Sequence, residues 1–327
     1  MRYHTNDELR GAIEAAVRRT GGRADIDAIG RTVKGEPITA ARLRGRGDGP
    51  RPEVLITGNV HGAEAIGSEV ALAVLERLCS DEPVGAAAEL LGLADVTVVP
   101  AVNLDSRSIA VDAFRAGRWR CPAPRGNARG VDLNRNFPYP EGADDVWYPL
   151  AGTSIPWLPW YRGPEPLSEP ESRALADLAA ARRFAACVNL HSVGRLFLYP
   201  YCYSHREPAD LSAFLAMGRA YTAAQRHHRY RIKQSRSWYA ILGDMDDHLY
   251  DAHGTLSVTV ELSRPLSGVG LNPLKLLCPF AMMNPRDPGP TIDNNVEACL
   301  AALAEGVRAA AARSQASICL GRAPHVV

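Results

Sequence analysis

No charge of either sign dominates this chain: the formal net charge is +1 at pH 7 over 327 residues. There is therefore no global field to draw in nucleic acid or an acidic membrane. Nor is there an apolar run of about 18 residues, which excludes a membrane-spanning helix. The N-terminal stretch "MRYHTNDELRGAIEAAVRRTGG" lacks the apolar core of a secretory signal. It opens instead on an amphipathic helix that Thr5 or Asn6 can cap and Gly21-Gly22 can end. Cysteine is present but unorganised. Seven stand at 79, 121, 187, 202, 278, 299 and 319, an odd number without a CxxC, which argues against a disulfide framework or a cysteine-based zinc site. A reducing compartment follows, and the expected location is the cytoplasm. No repeat, linker or break in composition divides the chain, so residues 1–327 read as one domain.

What is present is an ordinary core-forming composition, 46% hydrophobic and 22% charged. Short apolar runs at 52–60, 94–103, 184–192, 195–203 and 255–263 read as buried strands. Segments with helical spacing lie at 64–80, 169–182, 208–227, 243–252 and 291–313. A hairpin is expected around Lys34-Gly35. Residues 104–166 are rich in Pro, Gly, Trp and Arg and show little periodicity; an irregular stretch of that length usually carries function. The alternation predicts an α/β protein with helices on both faces of a largely parallel sheet. The basic run "RHHRYRIK" (226–233) reads as a local solvated face.

In such sheets, ligands gather beyond the carboxyl ends of the strands. His61 and Glu64 in "GNVHGAEAIG", His191 in "NLHS" and Glu261 in "TVELS" all stand at strand ends. A histidine pair with one carboxylate is a donor set that catalytic zinc takes while keeping a position open. Alone, His191 would read as a buried structural histidine; the His-x-x-Glu pair in the same relation to a strand favours the metal. Asp132 can hold one ligand imidazole in a single tautomer. Glu261, a carboxylate in an apolar strand, suits a general base. The arginine of "DLNRNF" either binds an anion or is tied to backbone carbonyls, and the motif leaves both open.

Taken in order, "GNVHGAE", "RWR", "GVDLNRNF", "YRGPEPLSEPE", "NLHS" and "TVELS" resemble the zinc metallocarboxypeptidases of the carboxypeptidase A/B kind, from about residue 5 to residue 310. The resemblance implies one catalytic domain over 1–327, a three-layer α/β/α fold around a mixed, largely parallel twisted sheet. It also implies one Zn2+ on His61, Glu64 and His191, with Glu261 as general base and Arg120 steadying the oxyanion. Asn134 and Arg135 would hold the terminal carboxylate of a peptide or peptide-like substrate, and Tyr239 would close over its last residue. Asp246 takes the position that selects the terminal side chain, where an acid implies Lys or Arg, and Asp247 a structural one. Val193 replaces a tyrosine common in relatives, and 140–160 looks like an added lid or wall. The alternatives are a related deacylase acting on N-acyl amino acids and a non-catalytic peptide-binding protein. Neither nucleic acid nor membrane is an expected partner.

Overall fold

The structure, a computed structural model, describes residues 2–47, 49–118, 120–122, 124–140, 143, 149–270 and 276–319. Trp119 of "RWR" and residues 141, 142 and 144–148 of the proposed lid lie outside the described residues. In chain order the elements are α1 (Asn6–Arg18), β1 (Ala24–Arg31), β2 (Pro37–Leu43), β3 (Glu53–Gly58), α2 (Ala65–Leu78) and α3 (Ala86–Leu93). Next come β4 (Asp95–Val99), α4 (Leu104–Arg115), α5 (Pro170–Arg182), β5 (Ala186–Ser192), β6 (Leu196–Tyr199) and α6 (Leu211–Ala224). The last are β7 (Arg231–Gln234), α7 (Met245–His253), β8 (Leu256–Leu262), α8 (Pro279–Met283) and α9 (Gly289–Cys319).

One eight-stranded sheet has the order β1-β2-β4-β3-β5-β8-β6-β7. Its centre, β4-β3-β5-β8, is parallel. The hairpin β1-β2 joins it antiparallel, as does β6 on the other side. Strand residues alternate between two cores. Val54, Ile56, Val188 and Val258 pack towards α2, α6 and α9 in the larger one. Leu55, Val99 and Cys187 pack with Leu175 of α5 and with Met245 and Leu249 of α7 in the smaller one. This period-2 division is what a sheet covered on both faces requires. Among the described residues no helix is long and apolar enough to cross a membrane.

Thr5 caps α1 through a reciprocal box with Glu8: Glu8 N–H donates to Thr5 Oγ1 at 3.2 Å, and Thr5 N–H to Glu8 Oε2 at 2.9 Å. The first part of the supposedly irregular 104–166 is helix α4, and the reason it hid is Arg107. This residue occupies a core-facing turn of the helix and is fully buried. Its Nη2 lies 3.3 Å from Glu69 Oε1, Nε donates to Ser68 Oγ at 3.0 Å, and Nη1 donates to Asn6 Oδ1 at 2.8 Å. A charge at an inward position breaks the apolar periodicity, and only its partners on α2 and α1 make that burial tolerable.

The chain passes from β3 to β4 on one side of the sheet and returns to β5 on the other side of β3. The crevice beyond the ends of β3 and β5 is therefore a topological switch point. Two glycines let α2 start there. A Cβ on Gly67 would lie 2.8 Å from the Leu190 carbonyl oxygen, and one on Gly58 would lie 2.8 Å from that of Gly67. The small residues of "GNVHGAEAIG" thus bring helix and strand ends together around His61 and Glu64.

Candidate active site

After Gly58 the backbone turns at Asn59 (φ 56°), whose buried amide Nδ2 donates to the His61 carbonyl at 2.8 Å. The turn sends His61 and Glu64 into the crevice, Glu64 standing directly before α2. His191 and Glu261 are register partners on the adjacent parallel strands β5 and β8. Four residues from distant parts of the chain are thereby delivered to one buried place.

The donor atoms converge closely. His61 Nδ1 lies 2.9 Å from Glu64 Oε1, while His191 Nδ1 lies 3.0 Å from Glu64 Oε2 and 3.1 Å from His61 Nδ1. Asp132 Oδ1 accepts from His61 Nε2 at 3.0 Å, which places the proton on Nε2 and leaves Nδ1 a lone pair. Such lone-pair atoms, buried about 3 Å apart, repel unless a cation lies among them. Their spacing is close to the roughly 3.3 Å between ligands of a tetrahedral zinc with bonds of about 2.0–2.1 Å. The residues present fit the metal.

Behind them stands an electrostatic network. Burial by itself would raise the Asp132 carboxyl, but Arg125 and Arg135 hold it well below the usual range. The Arg125 Nε donates to Asp132 Oδ2 at 2.7 Å, and its Nη1 lies 3.6 Å from Glu64 Oε1. Glu261 is the opposite case. Burial, and then the nearby Glu64 charge, push it well above an ordinary carboxyl, and its Oε2 has no hydrogen-bond partner among the described residues. Glu64, buried yet held low by His61 and His191, beside Glu261, held high, is the division found where one group binds and the other moves a proton.

His61, Glu64, Arg125, His191 and Glu261 border a cavity of about 180 Å³, shared with Asn134, Ser192, Val193, Trp238 and Tyr239. Asn134 is pinned to the start of α7, donating from Nδ2 to Asp244 Oδ1 at 2.7 Å and accepting from Met245 N–H at 3.0 Å. Tyr239 reaches the cavity, and the Arg135 guanidinium lies 5.9 Å from its ring centre.

Three of the expected site residues do not border this cavity. Arg120 is exposed and does not border the cavity; the guanidinium there belongs to Arg125, five residues further on. The signal for Arg125 was its place just before "GNARGVDLNRNF", on the segment that Asp132 anchors. Arg135 is buried away from the cavity wall. Its Nε and Nη2 donate to the Leu150 carbonyl at 3.1 and 2.9 Å, and its Nη1 donates to that of Asn134 at 2.9 Å. It has the backbone-tied arrangement that the motif left open. Asp246 is also absent from the wall: its carboxyl accepts from the Ser257 and Thr259 hydroxyls, and Thr259 faces the cavity in its place. Asp247 has the structural role expected, accepting from the N–H groups of Cys202 at 2.8 Å and Tyr203 at 3.3 Å.

The zinc carboxypeptidase family model matches residues 10–279, and the chain belongs to this family. Zinc is the family's cofactor, one ion per chain, and His61, Glu64 and His191 form its group here. A metallocarboxypeptidase A-like protein of Trichophyton verrucosum (strain HKI 0517) is 34% identical over 197 residues, which covers 57% of this chain and 44% of that protein. The carboxypeptidase N catalytic chain of Homo sapiens is 27% identical over 300 residues, covering 80% of this chain and 63% of that one. This chain thus spans less than two thirds of the length of these relatives. Carboxypeptidase A from Helicoverpa armigera shares the fold, with a TM-score of 0.74 at 22% identity over 96% of this chain and 75% of that one.

Proposed function

We propose that this protein is a zinc-dependent carboxypeptidase that removes one residue from the carboxyl end of a peptide or peptide-like amide. The observation that carries the reading is Glu261. A buried carboxylate oxygen without a hydrogen-bond partner among the described residues faces the same cavity as three convergent metal donors and a guanidinium. His61, Glu64 and His191 would hold a zinc ion, which would supply an electrophile, acidify water and offset the negative charge around Glu261. Glu261 takes the proton of the attacking water and delivers it to the leaving amine. Arg125 donates to the oxygen on which charge develops at the scissile carbonyl.

The substrate's terminal carboxylate meets the Asn134 amide. Arg135 joins it by exchanging the Leu150 carbonyl for the stronger, charge-assisted partner. Tyr239, half-buried at the rim, packs over the terminal residue. The chelator experiment tests the whole reading. Acyl-dipeptides ending in Arg, Lys, Leu, Phe, Glu or diaminopimelate are expected to release one terminal residue, with release lost on chelation and restored by zinc. Release that survives full chelation would end the zinc-dependent reading, and no release from any peptide alongside turnover of N-acyl amino acids would replace it with the deacylase.

A basic terminal residue is the preferred one. Leu198 and Ile241 on the wall suit an aliphatic stem. Asp244 borders the cavity, and Asp246 and Asp247 follow it, buried, on α7; none of the three has an ion pair to Lys or Arg among the described residues. Burial, and then Asp244, push Asp246 up to about 7. A Lys or Arg side chain supplies the missing counter-charge. Asp246→Asn is expected to lower kcat/KM on Arg- and Lys-ending peptides by about tenfold more than on Leu-ending ones. Equal losses on both would remove Asp246 as a selector.

A further inference from the structure

The basic run 226–233 leads from α6 into β7; Arg226, His227, His228 and Arg229 are exposed, as expected of a solvated face, while the backbone is fixed against α9. The buried Asn294 of α9 bolts it down. Its side-chain oxygen accepts from the N–H groups of His227 at 2.7 Å and His228 at 3.0 Å, and its Nδ2 donates to the His228 carbonyl at 3.0 Å. The loop thereby roofs a cavity of about 770 Å³ bordered by Arg195, Arg226, His227, His228, Ser263 and Thr291. The carboxylate in that lining, Asp293, is already engaged by Arg226 at 2.8 Å and His227 at 2.7 Å. Arg195 and the His228 ring have no counter-ion among the described residues, and the amino end of α9 adds its partial positive charge from Gly289 onward. Arg195, with Arg264 adding to it, holds the His228 imidazole below its ordinary pKa, as expected where cations crowd without an anion.

The cavity adjoins the catalytic one. Arg195 lies two residues beyond Val193 and Ser263 two beyond Glu261, and Gly194 N–H donates to the Leu262 and Ser263 carbonyls at 3.3 and 3.1 Å. We propose that this cavity is a second binding site, separate from the zinc group, that takes an oxyanion: a carboxylate or a phosphate. The group is carried either by the substrate upstream of the bond to be cut or by a free small anion. The substrate source rests on the carboxypeptidase reading; the site itself does not.

The zinc-loaded full chain is titrated with inorganic phosphate while the His228 ring is followed by NMR, at constant ionic strength set with chloride. The expected result is a saturable rise in the His228 pKa that disappears in Arg195→Gln, with the other histidine signals of that variant unmoved to show that it folds. A second arm uses peptides alike at the terminal residue but carrying Glu or Gln two to four residues upstream of the scissile bond. A kcat/KM ratio of about two- to fivefold for Glu over Gln, falling to one in Arg195→Gln, assigns the site to the substrate. Saturable phosphate binding with a ratio of one assigns it to a free anion. No saturable change at His228 together with a ratio of one overturns the proposal. Because the phosphate arm needs no turnover, a protein without peptidase activity can still bear the site out.

Discussion

Glu261→Gln is expected to lower kcat by about 10²–10⁴ while leaving one zinc per chain. The amide keeps the shape of the side chain and its place beside His191 on β8, so neither packing nor the metal donors change. What it loses is the capacity to take a proton. The proposed transfer suits this carboxylate because burial and Glu64 raise its pKa and no hydrogen bond from the described residues holds Oε2. KM is expected to move little, since the proposed role of Glu261 is in the transition state and not in the bound ground state. Glu64→Ala is the contrasting variant: it removes a donor that both imidazoles face, and zinc affinity should fall by more than the roughly 10–100-fold that loss of an outer partner costs. Metal analysis and single-turnover kinetics on both variants separate the roles. Near-normal turnover in Glu261→Gln would end the proton-transfer assignment.

Arg125→Ala is expected to cost about 10²–10³ in kcat, the usual range for removing one oxyanion donor, whereas Arg120→Ala should stay within about twofold of wild type. The contrast follows from placement. Arg125 borders the cavity with its Nε fixed on Asp132 at 2.7 Å and its Nη1 3.6 Å from Glu64 Oε1, which holds the guanidinium at the cavity where the proposed reading puts the reacting oxygen. Arg120 is exposed outside it. Because Asp132 also orients His61, part of the loss in Arg125→Ala could come from a loosened metal group. Arg125→Lys separates the two effects. It keeps the charge near Asp132 but loses the fork, so zinc content should be retained while kcat stays well below wild type. Full activity in Arg125→Ala, or a large loss in Arg120→Ala, would return the oxyanion role to Arg120.

The residues most legible in the sequence were those whose neighbours along the chain determine where they point. His61, Glu64, His191 and Glu261 each sit at or just past the end of a buried strand. Parallel pairing of β3, β5 and β8 then brings strand ends together as a matter of register. The alternation of apolar runs with helical segments set the α/β class for the same reason, since both periodicities are local. Tertiary structure decided everything contributed by loops or by charges facing inward. Which arginine enters the cavity depends on the path of 116–131, and no spacing encodes that path. Arg135 turns to the Leu150 carbonyl because a segment fifteen residues away passes beside it. Asp246 faces two hydroxyls of β8 because its position on α7 points it at the sheet. Arg107 concealed α4, and Asn294 of α9 fixes the backbone of the exposed basic run 226–233 beside a cavity. In each case the side chain's position is set by a partner distant in sequence, and the free energy that holds it there exists only once the sheet has assembled.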